Sequence, residues 1–151
     1  METIDLRWER LYAEWRAPLY RAAVVLVGPA EGEEVVQDAF ERGMRTEHFF
    51  DEVREPFPWL RQVVVRLALS RLRRRALWER ARLLLDGHQA SAYPDIAWAL
   101  RRLAPTQRGA VVLRYYFRAD YAEIAETLGL SQASVAKTLA RAKAALRRDL
   151  T

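Results

Sequence analysis

From residue 5 onward the apolar positions fall at helical spacing. Trp8, Leu11, Tyr12, Trp15, Leu19 and Ala22 recur three and four residues apart, which predicts a helical stretch over residues 5–27, kinked or reset at Pro18. The seven-residue step keeps Trp8 and Trp15 on one stripe, so both are expected in the core. Gly28-Pro29 ends this stretch and starts a second helix over residues 30–45, with Val35, Val36, Ala39, Phe40 and Met44 inward. Its first turn carries Glu31, Glu33 and Glu34, where the helix dipole favours anions. A polar and aromatic loop follows, with Thr46, Glu47, His48, Phe49 and Phe50 at its start and Phe57 at its end. Pro58 then sits in the first turn of a long helix through Trp59, Leu60, Val63, Val64, Leu67 and Leu72 to about residue 82. Arg61, Arg66, Arg71, Arg73, Arg74 and Arg75 form its polar face.

Residues 86–94 are polar, aperiodic and rich in breakers, which reads as a linker between domains. The pattern resumes near residue 95 with a short helix presenting Ile96, Ala97, Leu100 and Leu103, resets at Pro105, and continues as a helix over residues 106–117. Two more helices are expected over residues 121–128 and 132–149. Alternation of β-branched residues is nearly absent. The expected fold is therefore all-α, as two small helical domains over residues 1–82 and 95–151 joined by a flexible linker over residues 83–94.

Charge changes this picture more than composition does. The 151 residues carry a net charge of +5, but residues 31–55 hold nine acids and three Arg, residues 56–80 hold seven Arg and one Glu, and residues 96–151 hold ten Lys plus Arg against four acids. An acidic block between neutral and basic ones implies two kinds of partner, where a uniformly basic chain implies one; the alternative for any single block is a solvated helix face. With no cysteine, and only His48 and His88 as imidazoles, a disulfide framework, a thiolate nucleophile and a Cys-ligated zinc are excluded, and no metal or cofactor is expected. No clustered carboxylate or nucleophile suggests an enzyme. The charged N-terminal stretch lacks a leader pattern and no run approaches the roughly 20 apolar residues of a membrane span, so a soluble cytoplasmic protein is expected.

The segment from Tyr121 to Val135 has the pattern of a helix-turn-helix. Such a unit needs a small residue where its helices cross, a turn residue tolerant of positive φ and an apolar anchor in the second helix, and Ala125, Gly129 and Val135 supply them. Ser131 is a natural N-cap. In the second helix Val135, Leu139, Ala142 and Leu146 face inward, leaving Ser134, Lys137, Thr138 and Arg141 as an outward row. Side chains near the N-terminus of such a helix come closest to base edges in a major groove, so Gln132, Ser134, Lys137 and Thr138 are candidate base contacts, with Arg141 and Lys143 on phosphates.

The whole chain resembles a minimal bacterial sigma factor of the extracytoplasmic-function (ECF) group in the sigma-70 superfamily. The resemblance is carried by Glu33-Glu34-Val35-Val36-Gln37-Asp38-Ala39-Phe40, by Trp59-Leu60 with Leu67-Ala68-Leu69-Ser70-Arg71-Leu72-Arg73-Arg74-Arg75, by Leu103-Ala104-Pro105-Thr106-Gln107-Arg108 with Val112-Leu113-Arg114-Tyr115-Tyr116, and by Tyr121-Ala122-Glu123-Ile124-Ala125. It implies a region 2 helical bundle and a region 4 helix-turn-helix, without the acidic insert and N-terminal region of housekeeping sigma factors. It also implies that Glu34, Gln37, Asp38 and Glu41 dock on the clamp helices of core RNA polymerase, and that Arg66, Arg71, Arg73, Arg74 and Arg75 lie on promoter DNA at the −10 element. The loop over residues 46–57 would receive a base extruded from the opened duplex, its Phe49, Phe50 and Phe57 either stacking or packing, and Trp59 either in the core or facing DNA. The outward row of the last helix would read the −35 element, and an anti-sigma factor is an implied partner. Arg66, Ser70, Met44 and the run Ala136-Lys137-Thr138 depart from the family pattern, which bears on promoter sequence rather than on architecture. The competing reading is a stand-alone helix-turn-helix regulator with an N-terminal dimerisation or ligand-sensing half.

Overall fold

The computed structural model describes residues 2–86 and 96–151, all in helices and short turns with no strand among them. Their order is α1 (Ile4–Val27), α2 (Pro29–Arg45), α3 (Phe49–Glu52), α4 (Pro56–Asp86), α5 (Ile96–Arg102), α6 (Pro105–Val111), a π-helical turn (Val112–Tyr116), α7 (Tyr121–Leu128) and α8 (Gln132–Leu150). Two compact units, Met1–Ala68 and Leu69–Thr151, divide the chain within α4. Residues 83–86, expected in the linker, continue α4. The remainder of the expected linker and the expected start of the second domain at residue 95 lie outside the described residues.

In the first unit, α1 begins at Thr3, whose hydroxyl accepts from the Leu6 N–H, and passes through Pro18 as one helix. Proline removes one N–H from the ladder, and the carbonyl of Glu14 that loses it belongs to an exposed residue that water can reach. Gly28 reverses the chain at φ 92°, a conformation that side chains disfavour, and Pro29 opens α2 where its missing N–H is no loss. The core is built from Leu19 and Leu26 of α1, Val35 and Val36 of α2, and Leu60, Val64 and Val65 of α4, each at most 2% exposed. Burying each of these side chains contributes about 1.5–3 kcal/mol.

Trp8 is the aromatic hub of this unit. Its ring lies 4.7 Å from Phe49, 5.0 Å from Phe50 and 6.3 Å from Phe40, while Phe49 in turn meets Trp59 edge-on at 4.9 Å. The ring rests on Gly43, where a Cβ would collide with it. This corrects one expectation: Met44, read as inward, is 53% exposed, because Gly43 is the residue that α2 turns toward the indole. A second correction concerns Arg61, assigned to the polar face of α4 but only 7% exposed beside Leu60 and Val64 on the packed face.

In the second unit, Ala99 and Leu103 bury one face of the α5 segment, whereas Ile96, expected inward, is 64% exposed at the first residue of that helix. Arg108 is buried and donates from Nη2 to the carbonyls of Arg101 and Leu103, satisfying the open C-terminal end of α5. Replacing Arg108 by Met should therefore lower stability by about 1.5–3 kcal/mol, since buried carbonyls would lose a charged donor. Urea denaturation followed by circular dichroism reads this directly, and an unchanged midpoint would mean that water serves those carbonyls equally well.

Candidate functional site

Three surfaces collect the residues singled out in the sequence. On α2, Glu34, Gln37, Asp38 and Glu41 recur at three- and four-residue steps and share one face; Glu34, Gln37 and Glu41 are exposed and Asp38 is half-buried. Arg45 extends the face and approaches Glu41 at 3.9 Å, an exposed pair too loose to neutralise it. The exposed Met44 borders the same face, and with Asp5, Trp8, Glu9, Tyr12 and Phe40 it lines an open cleft of about 380 Å³. Sequence periodicity missed this apolar margin because it turned Met44 inward. Behind the face, α1 is tied to α2 by Arg16, which donates to the Tyr12 hydroxyl at 3.1 Å and to Glu33 at 3.4 Å. Those two partners, Tyr12 foremost, hold the guanidinium above its ordinary pKa.

The second group comprises residues of the aromatic loop and residues along α4, the latter on both sides of the division at residue 68. Phe49 is 4% exposed and packs between Trp8 and Trp59, so its ring is core rather than surface. Phe50 and Trp59 are half-buried, and Phe57 packs edge-on against Trp15 at 5.3 Å. The arginines of α4 do not form a single row. Arg66 and Arg73, two turns apart, are exposed on one side with Ser70 between them, and Arg74 is exposed beside them. Arg71 and Arg75, one turn apart, are half-buried on another side.

The third surface is the hairpin of α7 and α8. Asp120 caps α7 by accepting from the Glu123 N–H at 2.8 Å, and Gly129 ends that helix in the left-handed region at φ 68°. Ser131 caps α8, its Oγ accepting from the Ser134 N–H at 3.1 Å. Ala125, Val135, Leu139 and Ala142 are buried, at 8%, 0%, 3% and 0% exposure, which locks the two helices together. That leaves Gln132, Lys137 and Arg141 exposed along α8, with Ser134 and Thr138 half-buried between them. The Ser131 hydroxyl donates to the Ser134 Oγ at 2.9 Å, so Ser134 helps form the cap. Lys143 points its ammonium at the Tyr115 ring, 5.5 Å from the centroid. Tyr115 and Tyr116 are exposed on the π-helical turn, and Arg114, which donates to the Ala119 carbonyl at 3.0 Å, lies 5.2 Å from the Tyr121 ring. This aromatic and cationic margin beside α8 escaped the sequence reading, which treated residues 106–117 as one regular helix.

Among the described residues, no cluster of His, Asp or Glu could hold a metal ion, and no helix is long and apolar enough to cross a membrane. Comparison with known proteins also divides the chain in two, with the first match running past the end of the first compact unit. Residues 11–77 match the profile of Sigma-70 region 2, and residues 95–146 match that of Sigma-70, region 4. The ECF RNA polymerase sigma factor SigJ of Mycobacterium tuberculosis is 33% identical over 150 residues, a match covering 87% of this chain and 47% of that protein. The chain thus spans about half the length of that curated relative. The sigma factor RpoE from Bartonella quintana, solved in complex with the anti-sigma factor NepR, shares the fold, with a TM-score of 0.71 at 21% identity over 98% of both chains. With both regions present in their family order, the chain belongs to the sigma-70 superfamily as a sigma factor of the ECF group.

Proposed function

We propose that the protein is a promoter-specificity subunit, with no catalysis of its own, that joins core RNA polymerase in the cytoplasm, recognises −35 and −10 promoter elements and promotes DNA opening. The observation that carries this reading is the capped helix α8, which presents Gln132, Lys137 and Arg141 to solvent while Val135, Leu139 and Ala142 anchor it on α7. A helix held this way can enter a major groove, with Gln132 and Lys137 nearest base edges and Arg141 further along on phosphate. Ser134 and Thr138 line the same approach, and Lys143, over Tyr115, faces the backbone beside it. The acidic face of α2, with Glu34, Gln37, Asp38 and Glu41, suits a cationic polymerase element. Exposed Arg66, Arg73 and Arg74, and Arg71 and Arg75 on another side of α4, suit the backbone around the −10 element, and half-buried Phe50 and Trp59 suit an unstacked strand. An anti-sigma factor that covers these surfaces completes the reading.

Pull-down of core polymerase followed by run-off transcription tests the proposal. It is expected to give polymerase-dependent initiation at a −35/−10 promoter; a free homodimer that binds duplex operator without polymerase would sink it. Within α8, Arg141→Ala should weaken duplex binding across sequences and reduce the salt slope by about one, whereas changing Gln132 or Lys137 should alter base preference by about 1–3 kcal/mol. Binding to a promoter library at several salt concentrations separates the two classes, and uniform weakening by all three would erase the distinction drawn between them.

A further inference from the structure

The chain between the π-helical turn and α7 is held in a conformation that its own residue disfavours. Arg118 has φ 57°, in the left-handed region where a Cβ crowds the backbone. The fold requires this stop, because it lets the Ala119 N–H turn back to the Leu113 carbonyl at 2.9 Å and buries Ala119. Glycine fills the equivalent stop at the end of α7, where Gly129 has φ 68°. His48, the other side-chain-bearing residue at positive φ among those described, is of a type that tolerates the region and approaches Asp51 at 3.8 Å. Arg118 has no such compensation. Its side chain is exposed, and among the described residues no carboxylate or carbonyl pairs with its guanidinium. Asp120, two residues on, has its carboxylate engaged at the Glu123 N–H.

A strained residue whose charged group finds nothing within the chain points to a partner outside it. Arg118 stands three residues ahead of Tyr121, the first residue of α7. In a helix-turn-helix the first helix crosses the nucleic-acid backbone while the second enters the groove. We infer that Arg118 holds a backbone phosphate of duplex DNA at the edge of the groove that α8 enters, the left-handed turn fixing the guanidinium ahead of α7. The inference rests on the −35 reading proposed above and adds to it the loop before α7, which that reading leaves without a role. A guanidinium can grip two oxygens of one phosphate, and since every nucleotide carries the same phosphate, the contact adds affinity and register without base preference.

The test titrates holoenzyme formed with the full chain onto two promoter duplexes, one with the −35 element intact and one with it scrambled, over a range of salt concentrations. Arg118→Gly should bind both roughly tenfold more weakly, keep the ratio between them and lower the salt slope by about 0.9. Because glycine suits the left-handed turn, the same variant as free protein should melt about 2 °C higher. Arg118→Lys keeps a charge at the turn and should retain the wild-type salt slope. Unchanged affinity and slope in Arg118→Gly overturn the phosphate contact. So does a loss confined to the intact element, which would make Arg118 a base reader, or weaker association with core polymerase, which would place it in a protein interface. A lower melting temperature in Arg118→Gly overturns it too, by giving the side chain a part in the fold. A wild-type holoenzyme that does not distinguish the two duplexes overturns instead the −35 reading beneath the inference.

Discussion

Reversing the charge of Glu34 and Glu41 to Lys should cut the affinity for core polymerase by at least about a hundredfold, or about 3 kcal/mol. Both side chains project from the exposed face of α2, away from the face that buries Val35, Val36 and Phe40, so neither contributes to the core. Folding should therefore change by no more than about 0.5 kcal/mol, as for surface substitutions elsewhere. The Arg45 pair at 3.9 Å adds little to hold Glu41 in place, and its loss should not register. Interferometry on immobilised polymerase reads the affinity, and thermal denaturation of the same samples reads the fold. Unchanged affinity with an intact fold would move the docking surface off α2, whereas binding of duplex −35 DNA through α8 should be the same in both proteins.

The largest effect on stability is expected at Trp8. Removing its ring in Trp8→Ala deletes the contacts with Phe40, Phe49, Phe50 and Gly43 together and should destabilise the protein by about 3–5 kcal/mol. Gly43 supplies an internal control for the mechanism. In the wild type, Gly43→Ala drives a methyl into the indole, an overpacking worth about 1–3 kcal/mol that outweighs the gain in helix propensity. Once Trp8 is Ala the clash is gone, and the same substitution should stabilise by about 0.5–1 kcal/mol. A double-mutant cycle by urea denaturation measures the coupling directly. Additive effects would mean that the ring moves aside at little cost.

Much of the helical framework was legible because its signals are local. Gly28-Pro29, Pro105, Asp120, Gly129 and Ser131 are boundary residues whose conformations or hydrogen bonds follow from their own chemistry, and each one stands at a helix end. The inward row of α8 was legible for the same reason, since Val135, Leu139 and Ala142 repeat with the helix period. Met44, Arg61 and Ile96 were misread because periodicity fixes which residues share a face but not how wide the buried face is. Glycine has no hydropathy to announce that an indole will rest on it, and so Gly43 was invisible as the packed position. The faces of α2 and α8 follow from helix arithmetic, yet the pairing of Arg7 with Phe50 joins residues on different elements and leaves no trace in spacing. The same limit hid Lys143 over Tyr115 and the split of the α4 arginines between exposed and half-buried positions.

The π-helical turn at Val112–Tyr116 has a consequence for length rather than composition. In this turn the Phe117 N–H reaches the Val112 carbonyl at 3.1 Å, five residues back, so the backbone takes up more chain than a regular α-helical turn would. Val112 and Leu113 remain buried while Tyr115 and Tyr116 come out to solvent. Deleting one residue here would restore α-helical winding, and everything after it would enter α7 rotated by about 100°. Substitutions that keep the residue count can be absorbed side chain by side chain; a change of count would be felt along the whole approach to the hairpin of α7 and α8.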